Sequence, residues 1–166
     1  QGRLEALFNF QTLVCELTGF PIANASLLDE GSAAAEAMAL AYSARKNKSA
    51  KIFLVHESVY DHTYNVLLTR ARPLGIVLKR FKSRNPDFTD SVFGLLIQLP
   101  AQNGDLFDPS FLFSKSHKRD IFTCASIDPL VQTLIKPISQ LGADIAIGSM
   151  QRFGVPIGFG GPHAAF

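Results

Sequence analysis

The chain has 166 residues, of which 47% are hydrophobic and 18% charged, so it carries enough apolar material to form one folded domain. Its 16 basic and 14 acidic side chains leave a net charge of +2, too small an excess to indicate a nucleic-acid or anionic-membrane surface. With two cysteines and no apolar run near the roughly 20 residues of a membrane helix, the sequence predicts no disulfide scaffold, closed zinc site or membrane span.

Apolar periodicity predicts helices and strands in alternation along the chain. Near-helical spacing of Leu4, Leu7 and Val14 predicts a first helix, which Gly19 and Pro21 end. The later predicted elements are, in order, a helix over 33–45, a strand over 51–55, a helix over 61–72, a strand over 75–78, a surface loop over 80–90, a strand over 91–99, a helix over 109–118, a strand over 121–125, a short helix over 129–135, a strand over 143–148 and a last strand over 155–159.

The predicted strands are short continuous apolar runs, not alternating ones. Such runs are typical of a parallel sheet that is buried on both faces. Strands that alternate with helices predict an α/β three-layer sandwich, and we expect residues 1–166 to form a single domain. Because the chain opens with Gln1 and its first methionine is Met38, we expect it to be an interior piece of a longer protein.

The small residues at 29–36 precede a predicted helix and allow two interpretations. Helix N-terminal amides attract anions, so the segment could hold a phosphate. Alternatively it is a tight turn in which Ser32 caps the helix and Glu36 lies in the first turn. The acidic Asp29 and Glu30 favour the second interpretation, because carboxylates repel a phosphate.

The other candidate residues give weak signals when taken alone. The glycine cluster at 158–161 lacks the spacing of a dinucleotide fingerprint, and Pro162 would interrupt a helix there. His56 ends a predicted strand, where α/β sheets place ligands, although a structural histidine is the more common case. Cys15 and Cys124 are both predicted to be buried thiols.

Longer strings identify a family. QGRLEALFNFQT at 1–12, LTGFPIANASLLDEG at 17–31, GADIAIGSMQRFGVP at 142–156 and GFGGPHAAF at 158–166 resemble the P-protein family of the glycine cleavage system, and they bracket the whole chain. The resemblance implies an aminotransferase-like fold, that of the large domain of fold-type I pyridoxal-phosphate enzymes. P-proteins have two homologous halves, on one chain or on two subunits, and this chain resembles the large domain of the N-terminal half.

The same resemblance implies which residues stand at the cofactor positions. Aligned on Pro156 and the glycines at 158–161, the Schiff-base lysine of the catalytic half falls on Gln151. The phosphate-loop counterpart would be Gly31, Ser32, Ala33 and Glu36, while Asp128 lies in the region of the pyridine-nitrogen carboxylate. A glutamine amide forms no imine with an aldehyde, so we expect a degenerate cofactor site and no catalytic residue in this chain.

The family resemblance also implies an activity, partners and a location. The whole enzyme decarboxylates glycine with pyridoxal phosphate, bound by the other half, and passes the aminomethyl group to lipoyl H-protein. We expect this chain to contact the C-terminal half or subunit 2, with His56, Gln151 and His163 as interface candidates. The bacterial cytoplasm and the mitochondrial matrix are both compatible locations.

Two alternatives remain open. The chain could be a catalytic pyridoxal-phosphate domain whose lysine is Lys136 or Lys115, although this fold places the lysine after the last main strand. It could also be a dinucleotide-binding module that uses the glycines at 158–161, although these come at the end of the domain and not after the first strand.

Overall fold

Five strands and four α-helices make up the computed structural model, which describes residues 1–166. The helices are α1 (Gly2–Thr18), α2 (Glu30–Ala44), α3 (Asp61–Ala71) and α4 (Ser110–His117). The strands are β1 (Ile52–His56), β2 (Val77–Phe81), β3 (Val92–Leu99), β4 (Phe122–Ile127) and β5 (Ile145–Gly148). No helix combines the length and the hydrophobicity that a transmembrane span requires.

All five strands pair in parallel in the order β2-β1-β3-β4-β5. The chain moves outward from β1 to β2 and then returns past β1 to add β3, β4 and β5 on the other side. The strand order therefore reverses between β1 and β3. In open α/β sheets, ligands bind at such a switch point, outside the carboxyl ends of the strands.

Buried side chains cover both faces of the sheet. On one face, the alanine-rich helix α2 and helix α3 pack with Phe53 and Phe93 in an 18-residue cluster. On the other face, Leu95, Ile97 and Phe113 belong to a second cluster of 16 residues, which also includes Val14 of α1. Every residue of β3 is buried. These two clusters confirm the predicted three-layer α/β sandwich with a mainly parallel sheet.

The predicted end of the first helix is confirmed. Gly19 adopts a left-handed conformation with φ 75°, and its N–H donates to the carbonyl of Cys15 at 2.8 Å. A residue with a side chain is strained in this conformation, so a glycine at this position favours the end of the helix.

The second strand begins later than predicted. Gly75, with φ 64°, ends a 3₁₀ turn over Arg72–Leu74, so the strand predicted at 75–78 starts only at Val77. It then continues through Lys79 and Arg80 to Phe81. Polar residues are accommodated because β2 is an edge strand with an exposed face, and the predicted loop at 80–90 begins correspondingly later.

Two predicted elements are wrong. The strand predicted at 155–159 is absent, and Gly158–Gly160 forms a 3₁₀ turn instead, in which Phe159 has φ 53° and is fully exposed. A side chain exposed in this way gives a strand no core to pack against. The helix predicted at 129–135 is reduced to a 3₁₀ turn over Val131–Thr133. Leu134 is 83% exposed, so this segment buries little apolar surface that could stabilise a longer helix.

The last residues return to the sheet. Phe166 N–H donates to the carbonyl of Gly148 at 3.0 Å, and Gly148 N–H donates back to Phe166 at 3.2 Å. Ala165 forms antiparallel bridges to both Leu27 and Ser149. These bonds fasten the end of the chain next to the carboxyl end of β5.

Candidate functional site

A cleft of about 380 Å³ opens at the carboxyl ends of β3, β4 and β5. The first residue of α2, Glu30, closes one side of it. The polar and charged side chains that line the cleft are Glu30, Tyr60, Gln98, Gln102, Ser126, Asp128, Ser149, Gln151 and Arg152. No lysine lines the cleft. The structure therefore brings together Gln151 and Asp128, the two residues that the resemblance placed nearest the cofactor.

Gln151 lies three residues after β5, in a 3₁₀ turn over Met150–Phe153. Ser149 starts this turn, because its Oγ accepts a hydrogen bond from the N–H of Gln151 at 3.4 Å. The glycine-rich loop lies against it: a Cβ atom on Gly161 would be 3.5 Å from Gln151 Nε2. Because the lone pair of an amide nitrogen is delocalised into its carbonyl, this side chain provides hydrogen bonds but no nucleophile.

Asp128 follows β4 and is held by an ion pair. Its Oδ2 lies 3.3 Å from Arg152 Nη1, and its Oδ1 accepts the N–H of Leu130 at 2.9 Å. Arginine is a cation that suits ion pairs with carboxylates. The carboxylate of Asp128 thus already has a cationic partner from its own chain.

Carboxyl groups also occupy the N-terminus of α2. Asp29 is the N-cap, and its Oδ1 accepts the N–H of Ser32 at 2.6 Å. The expectation that Ser32 is the N-cap is therefore wrong. The helix begins three residues earlier than Ser32 would require, and the side chain of Asp29 caps it by accepting the N–H of Ser32. This hydrogen bond is the main cause that lowers the pKa of Asp29.

Glu30 points into the cleft. Its Oε1 accepts a hydrogen bond from Ser126 Oγ at 2.5 Å. Burial raises the pKa of this carboxyl, while the hydrogen bond from Ser126 opposes the increase. The end of α2 that faces the cleft is therefore filled by acidic side chains of the chain itself.

The other residues of the predicted phosphate loop do not gather at the cleft. Gly31 allows close packing of α2 on α3, since a Cβ atom there would lie 3.2 Å from Val66 Cγ2. Ala33 is buried in the core. Glu36 is exposed and forms an ion pair with Arg70 at 2.5 Å.

His56 ends β1, as predicted, and lines a neighbouring cleft of about 370 Å³. The imidazole is buried beside the rings of Phe81 and Phe107, at centroid distances of 4.9 and 5.5 Å. Its Nδ1 accepts the N–H of Ser58 at 3.1 Å, so Nε2 carries the hydrogen that faces the carbonyl of Lys82 at 3.1 Å. Burial lowers the pKa of this imidazole.

His163 lies outside both clefts, exposed in the glycine-rich loop. The imidazoles of His163 and His62 help to lower the pKa of Asp29. His62 also acts to lower the pKa of Glu30, against the larger effect of burial. His62 stacks on Tyr60 at a centroid distance of 5.2 Å. Neither His62 nor Tyr60 could be predicted as a site residue, because nothing in the sequence pairs the start of α3 with the start of α2.

Gln98 and Ser126 were also missed. Gln98 is buried near the end of β3, where its Oε1 accepts the N–H of Tyr60 at 3.2 Å and its Nε2 donates to the carbonyl of Pro100 at 3.3 Å. Ser126 holds the equivalent place near the end of β4. A single polar residue near the carboxyl end of an apolar strand is the signal that could have identified them.

The lysines of the first alternative lie elsewhere. Lys115, on α4, donates to Asn85 Oδ1 and to the carbonyl of Pro86, both at 2.7 Å. Lys136 is exposed and lines neither cleft. The glycines of the second alternative form a 3₁₀ turn that does not lead into a helix. No three His, Cys, Asp or Glu side chains come together as metal ligands.

Comparison with known proteins gives a consistent result. The model of the family described as "Glycine cleavage system P-protein" matches residues 1–166. Proteins named glycine dehydrogenase (decarboxylating) from Prochlorococcus marinus (strain NATL2A) and Synechococcus sp. (strain CC9902) are 58% and 57% identical to the chain over all its 166 residues. The chain spans only 17% of the length of each of these relatives.

Solved structures support the same relationship. A crystal structure of glycine decarboxylase (P-protein) of the glycine cleavage system, in inhibitor-bound form, superposes with a TM-score of 0.91 at 34% identity, covering 99% of this chain and 38% of that one. A cysteine desulfurase from Escherichia coli superposes with a TM-score of 0.71 at 14% identity, over 98% of this chain and 43% of the other. The second likeness is one of fold alone, and together they confirm the predicted aminotransferase-like architecture.

Proposed function

The chain belongs to the glycine cleavage system P-protein family, and from this membership we propose that it is a non-catalytic part of a glycine dehydrogenase (decarboxylating). In this proposal the complete enzyme decarboxylates glycine with pyridoxal phosphate and passes the aminomethyl group to lipoyl H-protein. This chain supplies part of the large domain of the N-terminal half, and the other half binds the cofactor.

The observation that carries the proposal is the cleft that contains Gln151 and no lysine. Pyridoxal phosphate acts as an electron sink while it is joined to an amine as an imine, and the enzyme holds it through a lysine. The cleft offers an amide at the corresponding place. Its carboxylate, Asp128, is engaged by Arg152, and the nearby helix N-terminus is capped by Asp29. The residues present therefore do not fit the cofactor, and we assign no reaction step to them.

The role that remains is structural. We propose that the chain packs against the C-terminal half, or against subunit 2 where the halves are separate, and shapes the entrance through which lipoyl H-protein reaches the active site. Exposed apolar side chains support a packing role, since Leu4 and Phe8 on α1 are 62% and 67% exposed. Gln151 lines the cleft, His163 lies on the glycine-rich loop and His56 lines the neighbouring cleft, so all three stay candidates for contact with the partner half.

Borohydride trapping tests the proposal. The chain is incubated with pyridoxal phosphate, reduced, digested and mapped by mass spectrometry, with a lysine-dependent pyridoxal-phosphate enzyme treated in parallel to verify the reduction. We expect no stoichiometric label on any lysine, because a secondary amine forms on reduction only where a lysine holds the cofactor as an imine.

A single lysine labelled at full occupancy would contradict the proposal. A label on Lys136 or Lys115 would make this a catalytic pyridoxal-phosphate domain of a related fold-type I enzyme. Scattered labelling that stays below stoichiometry and rises linearly with reagent concentration would represent surface reaction and agrees with the proposal.

A further inference from the structure

Glu30 is the acidic side chain that the structure places between α2 and the cleft. It is the first residue of the helix, and it lines the cleft together with Ser126 and Asp128. Its Oε1 accepts the hydroxyl hydrogen of Ser126 at 2.5 Å, across 96 positions of sequence. A flexible glutamate at an exposed helix start would point to solvent, but this one is directed inward and held there.

The position of this carboxylate matters because helix N-termini attract anions. Backbone N–H groups and the helix dipole create a partial positive charge, which is where phosphates bind in many proteins. Here the carboxylate of Asp29 accepts a hydrogen bond from the N–H of Ser32, and the carboxylate of Glu30 accepts one from the hydroxyl of Ser126. Two of the donors at this corner, the N–H of Ser32 and the hydroxyl of Ser126, are therefore already bonded to carboxylates of the chain itself.

The charges that line the cleft also disfavour a further anion. Glu30 and Asp128 carry carboxyl groups, and Arg152 is the one cationic side chain among the lining residues. Its guanidinium is paired with Asp128 at 3.3 Å. A phosphate that entered would meet a carboxylate at the helix start and no uncommitted cation to balance it.

We propose that Glu30 is a built-in substitute for a phosphate group, which closes the cleft to phosphate-bearing cofactors independently of the lysine that Gln151 replaces. This inference rests on the proposed function and deepens it, because the cleft then excludes the cofactor in two ways. The lack of a lysine prevents covalent attachment, and the carboxylate of Glu30 blocks the place of the phosphate. Restoring a lysine alone leaves the second barrier intact.

The test separates the two barriers by restoring the lysine in every variant that is compared. Gln151→Lys is prepared alone, with Glu30→Ala and with Glu36→Ala. The last variant is the matched control, since Glu36 lies on the same helix, carries the same charge and pairs with Arg70 outside the cleft. Each is titrated with pyridoxal phosphate and with pyridoxal, which lacks the phosphate, then reduced with borohydride and mapped at position 151.

We expect Gln151→Lys with Glu30→Ala to reach half-maximal labelling by pyridoxal phosphate at a concentration at least tenfold lower than the other two variants. Labelling by pyridoxal should be the same in all three. Equal titrations by pyridoxal phosphate would overturn the role of Glu30. An equal gain in labelling by pyridoxal would also overturn it. The Glu30→Ala change would then act by enlarging the cleft and not by removing a carboxylate that disfavours the phosphate group.

A second measurement does not depend on an added lysine. Inorganic phosphate is titrated into Glu30→Ala and Glu36→Ala, each with Gln151 retained, by isothermal calorimetry at low ionic strength. At least tenfold tighter binding to Glu30→Ala supports the inference even if the lysine at position 151 proves unreactive, and equal binding contradicts it. Stoichiometric labelling of a native lysine in the unmodified chain would instead overturn the proposed function, so the two failures are distinguishable.

Discussion

His56 shows how burial fixes the state of a single side chain. Both ring nitrogens are used, since Nδ1 accepts the N–H of Ser58 and Nε2 faces the carbonyl of Lys82. Protonation would place a hydrogen on Nδ1, pointing at another N–H group. The burial that lowers the pKa of His56 and this hydrogen-bond pattern therefore favour the same neutral form.

A pH dependence of stability follows from His56. Because its pKa is lowered in the folded chain, the unfolded chain binds a proton more readily below the ordinary value of 6.5. The free energy of unfolding should therefore fall as the pH is lowered through that value. Urea denaturation at pH 7.5 and at pH 5.5 measures this drop in the free energy of unfolding. The drop should be smaller for His56→Gln than for the wild type, because the glutamine amide donates and accepts hydrogen bonds but does not titrate.

The matched control for this prediction is His163→Gln, which removes an exposed imidazole. We expect it to keep the wild-type profile. If His56→Gln loses as much stability on acidification as the wild type, another group controls the pH dependence and the prediction is wrong.

Residues were predictable where local sequence determined their place. His56 and Gln151 follow apolar strands, so the end of the sheet to which they belong could be read from the sequence. Glu30 and Ser126 could not be paired in the same way, because 96 positions separate them and only the packing of α2 beside β4 brings them together. Long-range contacts between ordinary polar residues leave no local pattern.

Among the elements, β5 tolerates no side chain at its last residue. A Cβ atom on Gly148 would lie 2.4 Å from the carbonyl oxygen of Ile127 on β4 and 2.8 Å from the ring of Phe166. The first of these neighbours is backbone, which yields less easily than a side chain. Gly148 thus allows the end of β5, the end of β4 and the returning chain to meet directly beneath the cleft.

We therefore expect Gly148→Ala to lower the free energy of unfolding by roughly 1–3 kcal/mol, the typical cost of overpacking. Gly158→Ala is the matched control, because no atom lies within 4 Å of a Cβ atom there, and it should change stability little. Chemical denaturation of both variants provides the measurement. A Gly148→Ala chain as stable as Gly158→Ala would show that β4 and β5 separate at little cost.

Elements were predicted best where burial and local pattern agreed. Strand β3 is buried along its whole length, and its continuous apolar run marked it clearly. The segment 155–159 has a similar apolar character in the sequence, but Ile157 and Phe159 are 88% and 114% exposed. Hydrophobicity alone could not show that this segment lacks a sheet to join, because that depends on where the rest of the chain leaves room.

At the scale of the whole molecule, the chain leaves much apolar surface uncovered. A groove of about 480 Å³, lined by 12 hydrophobic residues out of 16, runs beside β5, the last strand in the sheet order. On α1, Leu4 and Phe8 lie one turn apart and form a second apolar patch. Soluble monomers rarely expose such areas, and they usually mark surfaces that another part of a protein covers.

We therefore expect the isolated 18.1-kDa chain to self-associate and to bind a dye that reports exposed apolar surface. Replacing Leu4→Lys and Phe8→Lys together should shift the mass measured by sedimentation equilibrium toward that of the monomer, because two charges must then be desolvated in the contact. Leu4→Met with Phe8→Leu, which keeps the patch apolar, is the control and should associate like the wild type. A monomeric wild-type chain that binds no dye would contradict the prediction. Equal association of the charged variant would place the contact at the β5 groove instead of α1.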